Sequence, residues 1–339
     1  EFGLFDCLTG TIEYFKKDSK DLLFDVSQPA SVGVTSIIQN IGKVTNSGVE
    51  IELDYNAFKN KDWSVSVGAN ATFVKNKIKN LPATMKENGY ISGSKKWLEG
   101  KSIYEFWLRQ WHGVDPQTGD GLYVADVSKY NQGNIGTGDG NITQSQFDEY
   151  KKTVVTIDGK ELTNSYTYAK YDFSGSSIPD VYGGFNVRVS YKNFDLAAVF
   201  SYQLGGQILD TNYATMMSMT EFGYAQSPDL LKAWKQAGDI TEVPRIDNSA
   251  AHTTNIGQSY STRWLTSSDY LNLRSVTIGY QLPKTWLSKV MLKSARLNLT
   301  AENLFMLKAR QGLNPMANYS GVTYNEYMPS RNITLGLNV

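Results

Sequence analysis

Val49-Glu50-Ile51-Glu52-Leu53-Asp54-Tyr55-Asn56-Ala57 and Trp63-Ser64-Val65-Ser66-Val67-Gly68-Ala69-Asn70-Ala71-Thr72-Phe73 are two alternating runs, separated by the polar turn Lys59-Asn60-Lys61-Asp62. Successive side chains of a strand point to opposite faces, so this hairpin has one apolar face and one polar face. The polar face carries the carboxylates Glu50, Glu52 and Asp54. A soluble sandwich alternates in the same way, so the hairpin alone does not separate a sandwich from a membrane barrel.

The same period returns further along. Phe185, Val187, Val189 and Tyr191 oppose Asn186, Arg188 and Ser190; Phe194, Leu196, Ala198, Phe200, Tyr202 and Leu204 follow after only Lys192-Asn193. Leu297, Leu299 and Ala301 alternate with Arg296, Asn298, Thr300 and Glu302, and Ile333, Leu335, Leu337 and Val339 alternate with Asn332, Thr334, Gly336 and Asn338. Weaker strands are expected at Thr9–Lys17, Lys101–Gly113, Gly121–Val127 and Asp269–Gln281. The expectation is about ten to eleven strands, counting a partial one at Glu1–Asp6, most near the ~9–11 residues that cross a bilayer at a tilt.

The connections alternate in length. Short ones are expected at Lys59–Asp62, Val114–Asp120, Lys192–Asn193 and Leu282–Lys293, the last with room for a helical turn. Long ones are expected at Asp18–Val44, Asn76–Gly100, Ser128–Pro179, Gly205–Ser268 and Phe305–Glu326. Short turns on one side and long extracellular loops on the other are the plan of an outer-membrane barrel. Compact soluble domains seldom carry loops beyond about 12–15 residues. The fold class read here is therefore all-β: a transmembrane antiparallel β-barrel.

Lys+Arg and Asp+Glu are both 33, so no net charge draws nucleic acid. The 21 Tyr, 7 Trp and 14 Phe suit aromatic girdles, and Tyr55, Trp63, Phe73, Tyr191, Phe194 and Tyr280 stand near strand ends where girdles belong. The chain has no run of about twenty apolar residues, which speaks against a transmembrane helix and says nothing against a barrel. The single Cys7 excludes an internal disulfide framework.

The beginning at Glu1-Phe2-Gly3 has neither the charged nor the apolar part of a signal peptide. An open sheet of about ten strands has two unpaired edges, each costly in hydrocarbon. The sequence reads as the C-terminal part of a larger protein whose other strands pair with both edges.

Several blocks, in order, resemble the C-terminal half of the SusC/RagA-like branch of TonB-dependent outer-membrane transporters, typical of Bacteroidetes. They are Asn40-Ile41-Gly42-Lys43-Val44-Thr45-Asn46-Ser47-Gly48-Val49-Glu50, Trp111-His112-Gly113-Val114-Asp115-Pro116-Gln117-Thr118-Gly119, and Ile178-Pro179-Asp180-Val181-Tyr182-Gly183-Gly184-Phe185 leading into Tyr191-Lys192-Asn193-Phe194. Asp269-Tyr270-Leu271-Asn272-Leu273-Arg274, Thr277-Ile278-Gly279-Tyr280-Gln281-Leu282-Pro283 and Ala301-Glu302-Asn303-Leu304 complete the set. The resemblance implies a 22-stranded barrel, of which residues 1–339 would be about half, as expected for barrels of about that size with a plugged lumen. It implies a plug and a TonB box, neither of which this chain contains, and a SusD-like surface lipoprotein as a lid. It also implies energised import of oligomeric nutrients, glycans first, with a peptide importer of the same family as the alternative. A soluble or surface β-rich carbohydrate-binding protein is the rival of a different class. Partners would be the lipoprotein, the TonB complex, the remaining barrel and plug, the oligosaccharide or peptide, and outer-membrane lipid.

No enzymatic chemistry is expected. The two histidines, His112 and His252, are far apart, and no spacing suggests a metal centre or catalytic triad. His112 reads as a structural residue at a strand-to-turn junction. Asn134–Thr143 only faintly suggests a calcium loop. With Gly140 sixth, Ile135 falls first and Gln146 twelfth, so calcium lacks support and a flexible turn is expected. Aromatic rings beside amides suit stacking on sugars. The rings singled out for ligand contact are Trp97, Trp107, Trp111, Tyr130, Tyr213 and Trp264. Glu50, Glu52, Asp54, Arg188, Arg296 and Glu302 are expected to face the lumen and the plug, because buried charges need partners.

Overall fold

A computed structural model describes residues 1–27, 31, 33, 36–138, 140–218, 223, 225–247, 249–257, 260–324 and 326–339. Its organising element is a ten-stranded antiparallel sheet. The strands are β1 (Phe2–Leu4), β2 (Leu8–Ser27), β3 (Ser36–Lys59), β4 (Trp63–Asn80), β5 (Val181–Tyr191), β6 (Phe194–Leu204), β7 (Tyr270–Gln281), β8 (Arg296–Glu302), β9 (Met306–Lys308) and β10 (Asn332–Asn338). Neighbours follow chain order from β1 to β8 and then β10, and β9 extends the pairing of β7. The sheet is open, with β1 and β10 at its edges.

The register turns separate alternating runs into continuous faces. Ile51, Leu53, Val65 and Val67 belong to apolar rows that cross the sheet. One runs Leu8, Tyr55, Val67, Val187, Ala198, Val276, Ala301, Ile333. The next runs Val65, Val189, Leu196, Ile278, Leu299, Leu335. A shift of one residue in any pairing would break every row beyond it, so the pattern fixes the register. A terminal row of Trp63, Tyr191, Phe194, Tyr280, Leu297 and Leu337 lies beside the short turns, with ring centroids 4.3 Å apart for Trp63–Tyr191 and 4.4 Å for Phe194–Tyr280. Tyr14, Val49 and Phe73 align toward the other end. From Trp63 to Phe73 a strand rising about 3.4 Å per residue and tilted about 45° climbs roughly 25 Å, the height of a barrel's lipid-facing band. Tyr55, by contrast, sits mid-band opposite Val67 rather than at a girdle.

Two expectations about strands and loops need correction. The connection Asp18–Val44 is mostly strand, because β2 and β3 remain paired up to Ser27 and Ser36. The sequence there runs polar at Lys16–Asp21 and apolar at Leu22–Phe24, so period 2 fades; the pairing is supported by Asp18, which accepts from Thr45 Oγ1 at 2.7 Å and pairs with Lys43 at 3.0 Å. Asp21 takes a left-handed φ of 57° where the register shifts between Ser19 and Leu22, a conformation Asp tolerates.

Second, Lys101–Gly113 and Gly121–Val127 are not barrel strands. They contribute Glu105–Arg109, Trp111–Val114 and Gly121–Val124 to two four-stranded sheets inside the long β4–β5 connection. Phe106 and Leu108 bury one face of Glu105–Arg109, whereas Gly121–Val124 is covered on both faces, with Leu122 and Tyr123 almost fully buried. The turn Val114–Asp120 therefore joins two strands of a loop sheet. The expected long connection Ser128–Pro179 is found inside the β4–β5 connection, with a helix at Gln144–Thr153 and strands at Val154–Ile157, Lys160–Thr163 and Tyr171–Ser176. The helix starts at Thr143, whose hydroxyl accepts from Gln146 N while the Gln146 side chain accepts from Thr143 N. That use of Gln146 replaces the twelfth ligand of a calcium loop, and Asp139 lies outside the described residues.

The β4–β5 connection also buries a lysine. Lys95 Nζ donates to Tyr104 O at 2.8 Å and Ser177 Oγ at 3.3 Å, and lies 3.3 Å from the centroid of Phe106. Burial pulls its pKa down to about 7, against a smaller opposing influence from Glu105. Between about pH 7 and the ordinary lysine value the unfolded chain then binds more protons than the folded one, so stability rises with pH in that window. Protease resistance of this connection should increase from pH 7 toward 10, and Lys95→Met should flatten the dependence. A wild-type profile as flat as the variant's would contradict the assignment.

Candidate functional site

The three long connections meet on the side away from the short turns. Phe106 and Leu108 from the β4–β5 connection pack with Leu209, Ala214, Met217, Leu230, Ala233, Val243 and Trp264 from the β6–β7 connection and with Val322 from the β8–β10 connection. At the mouth of β6, Gly205 has φ +90°, and a Cβ there would run into Asp180. The chain turns off the sheet at that point. Gln207–Leu209 pairs with Leu265–Ser267, and Leu209 donates to Gly321 O at 2.7 Å while Thr323 N donates back to Leu209 O at 3.2 Å.

Asp210 follows directly and joins these loops. Its carboxylate accepts from Tyr213 N at 2.9 Å and Thr323 Oγ1 at 3.3 Å, and forms an ion pair with Arg310. The side chain of Asp210 is only 6 % exposed and that of Arg310 26 %. The Arg310 guanidinium also lies over the Tyr213 ring, 3.5 Å from its centroid. Burial lowers the Arg310 pKa to about 10, which leaves it charged at neutral pH. Tyr213 Oη donates to Asp229 Oδ2 at 2.7 Å, and burial, reinforced by this carboxylate, pushes the phenol up to about 12. Lys232 holds Asp229 from outside at 2.6 Å.

Above this network is a cavity of about 770 Å³, with Tyr213, Arg310, Gln311, Asn314, Glu326 and Tyr327 among its lining residues. Its amides, carboxylates and tyrosine faces suit a polar oligomer that stacks and accepts or donates many hydrogen bonds. Of the six aromatic residues singled out in the sequence, Tyr213 alone lines it. Trp264, at 4 % exposure, lies in the core beneath, edge-on to Tyr213 at 5.9 Å. Tyr130 is buried in a separate core with Tyr150, Phe147 and Tyr168. Trp111 is edge-on to Tyr123 at 5.1 Å, with the Arg263 guanidinium 4.7 Å over it. Trp107 is edge-on to Phe173 at 4.9 Å, and Lys96 Nζ stands 4.1 Å over its ring. Trp97 donates to Ile103 O at 3.1 Å and lines a small apolar cavity of about 190 Å³ with Leu22, Val44, Ile78 and Leu81.

Arg310, Asp210, Gln311, Asn314 and Tyr327 were not legible as site residues. Nothing in Arg310-Gln311-Gly312-Leu313-Asn314-Pro315 distinguishes a cavity wall from an ordinary turn. The Asp115-Pro116-Gln117-Thr118-Gly119 block is structural. Asp115 accepts from Gln117 N at 2.8 Å and Thr118 Oγ1 at 3.1 Å, and Pro116 O accepts from Trp234 Nε1 at 3.0 Å. His112 is exposed on the adjoining strand, whereas His252 is buried, with Nε2 2.8 Å from Arg245 O.

Glu50, Glu52, Asp54, Arg188, Arg296 and Glu302 share the face opposite the apolar rows. Register places Glu50 against Thr72, Glu52 against Asn70, Asp54 against Gly68 and Arg188 against Ser66. Arg296 pairs with Asp195 at 2.5 Å and donates from Nε to Asn298 Oδ1 at 2.6 Å; Glu302 accepts from Asn332 Nδ2 at 3.2 Å. Among the described residues no group of His, Cys, Asp and Glu is arranged to hold a metal ion.

Comparison with known proteins agrees with this architecture. Residues 4–141 match the family described as TonB dependent receptor-like, beta-barrel. TonB-dependent receptor P3 of Formosa agariphila is 28 % identical over 100 % of this chain and 33 % of its own length. TonB-dependent receptor SusC of Bacteroides thetaiotaomicron is 23 % identical over 98 % of the chain and 30 % of its own length. A solved structure of the RagAB peptide transporter superposes with a TM-score of 0.75 at 24 % identity, covering 98 % of this chain and 33 % of the other. The chain thus spans about a third of the length of these relatives. Registered apolar rows, short turns at one end and packed loops at the other agree with these likenesses: the chain folds as a ten-stranded portion of a β-barrel, similar over nearly its whole length to TonB-dependent receptors such as SusC and to the RagAB transporter.

Proposed function

We propose that this barrel wall belongs to an energised importer of oligomeric nutrients, most simply glycans, working without chemistry of its own. The observation that carries the reading is the cavity of about 770 Å³ built where the long loops converge, on a sheet whose other end carries only short turns. A SusD-like lipoprotein would close over the loops, and a plug moved by the TonB complex would open the path. Glu50, Glu52, Asp54, Arg188, Arg296 and Glu302 would face that plug across the lumen. Trp264 would hold Tyr213 from behind, while Trp97, Trp107, Trp111 and Tyr130, packed elsewhere in the loops, would meet substrate only outside this cavity. The open edges β1 and β10 would be paired by further strands, since unpaired backbone is costly in hydrocarbon.

Peptides are the second reading. The charges of Arg310, Asp229 and Glu326 on the cavity wall would suit peptide termini and side chains, and the fold match is to a transporter described as carrying peptides. Combining Tyr213→Ala, Gln311→Ala and Asn314→Ala should reduce oligosaccharide uptake by at least about tenfold, with outer-membrane abundance unchanged. Oligopeptides used as competitors distinguish the two substrates, and co-purification of the lipoprotein reports the lid. Unchanged uptake of both classes would place selection outside this cavity.

A further inference from the structure

The connection from β7 to β8 is the longest at the short-turn end and has an unusual surface. Lys284–Leu287 forms one helical turn and Ser288–Val290 a tighter one, before the chain returns at Ala295. Leu287 and Ala295 are buried at 4 % and 2 %, which fixes the segment against the barrel rim. Trp286, Met291 and Leu292 instead stand out at 59 %, 94 % and 38 % exposure. Met291 also has a left-handed backbone, φ 58°, at a helix-end position where glycine or asparagine is the unstrained choice. A long apolar side chain kept there, almost wholly exposed, points to a use outside the fold.

Position and charge say what covers it. Leu282 donates to Ala295 O at 2.9 Å, continuing the β7–β8 pairing past the Tyr280–Leu297 pair of the terminal aromatic row. That is about 7 Å further along the strand, the depth of lipid headgroups when the aromatic row marks the edge of hydrocarbon. Between Gln281 and Arg296 the sequence has Lys284, Lys289 and Lys293 and no carboxylate. Tryptophan and methionine at headgroup depth, flanked by lysines, are the chemistry of an interfacial anchor on an anionic surface.

We infer that Leu282–Lys293 is a membrane-surface anchor, with Trp286, Met291 and Leu292 inserted among the lipids of the inner leaflet and its lysines paired with anionic phospholipid headgroups. The inference rests on the barrel reading, because continuity with the apolar band sets the depth. The anchor would fix the tilt of β7 and β8 relative to the bilayer without entering the transport path.

The test uses the whole gene product in nanodiscs, with Cys7→Ser and a fluorophore on Met291→Cys. Expected are quenching by phospholipids brominated near the headgroup, roughly twofold stronger for anionic than for zwitterionic lipid, and protection from iodide relative to detergent micelles. Changing Lys284, Lys289 and Lys293 to Gln should remove the preference for anionic lipid. Iodide quenching as strong as in detergent would overturn the proposal. So would a label reached by neither quencher, which would mean a protein covers the segment, or a lipid preference unchanged by the three substitutions. A control label on Val67→Cys separates the two ideas: quenching there by chain-brominated lipid with none at position 291 would leave the barrel standing and remove the anchor.

Discussion

Val67→Arg should destabilise the assembled barrel by about 2–4 kcal/mol, the cost of a charge at mid-bilayer on a lipid-facing strand. Val67 lies between Tyr55 and Val187 in the central apolar row, so the guanidinium would have no carboxylate in that row to pair with. Ser66→Arg, one residue away, should cost less. Its partners Asn56 and Arg188 are on the polar face, and the expected penalty is like-charge repulsion with Arg188, of order a few tenths to 1 kcal/mol. Urea titration of the whole gene product folding into vesicles measures both. Equal costs for the two substitutions, or a larger one for Ser66, would mean the faces are assigned the wrong way round.

Arg310→Met should cost about 3–5 kcal/mol locally, because it leaves the Asp210 carboxylate buried without its counter-charge. Asp210 also caps the turn at Tyr213 and holds Thr323, so opening should spread through the β6–β7 and β8–β10 connections together. The double variant Asp210→Asn with Arg310→Met should recover most of the loss, since an amide can keep the two neutral hydrogen bonds without demanding a cation. Hydrogen exchange across Leu209–Met217 is the readout. Additive losses in the double variant would show that the ion pair is not what joins the loops.

The sheet was legible where hydrocarbon enforces a strict alternation. Phe194–Leu204 is found at its expected ends, and the Val49–Phe73 runs lie within β3 and β4. Legibility failed once that constraint lapsed. The outer halves of β2 and β3 run in polar and apolar blocks, Lys16–Asp21 followed by Leu22–Phe24, instead of alternating, and only their pairing shows them to be strand. Phe106 and Leu108 alternate like barrel residues but serve a loop core, because period 2 reports a buried face without saying in which sheet. The cavity was least legible of all. Asp210 and Tyr213 stand together in the β6–β7 connection but Arg310 comes from the distant β8–β10 connection, and no local spacing announces the ion pair and ring contact it makes with them.

The central claim is that Ile51, Leu53, Val65, Val67, Leu335 and Leu337 face lipid. Spin labels placed one at a time at positions 64–69 of β4, in the whole gene product reconstituted in bilayers, test it most directly. The account predicts oxygen accessibility high and paramagnetic-nickel accessibility low at Val65, Val67 and Ala69, with the opposite or an immobile, shielded label at Ser64, Ser66 and Gly68. Labels at Val65 and Val67 shielded from both probes while Ser66 is freely reached by nickel would put the apolar rows inside a soluble core and contradict it.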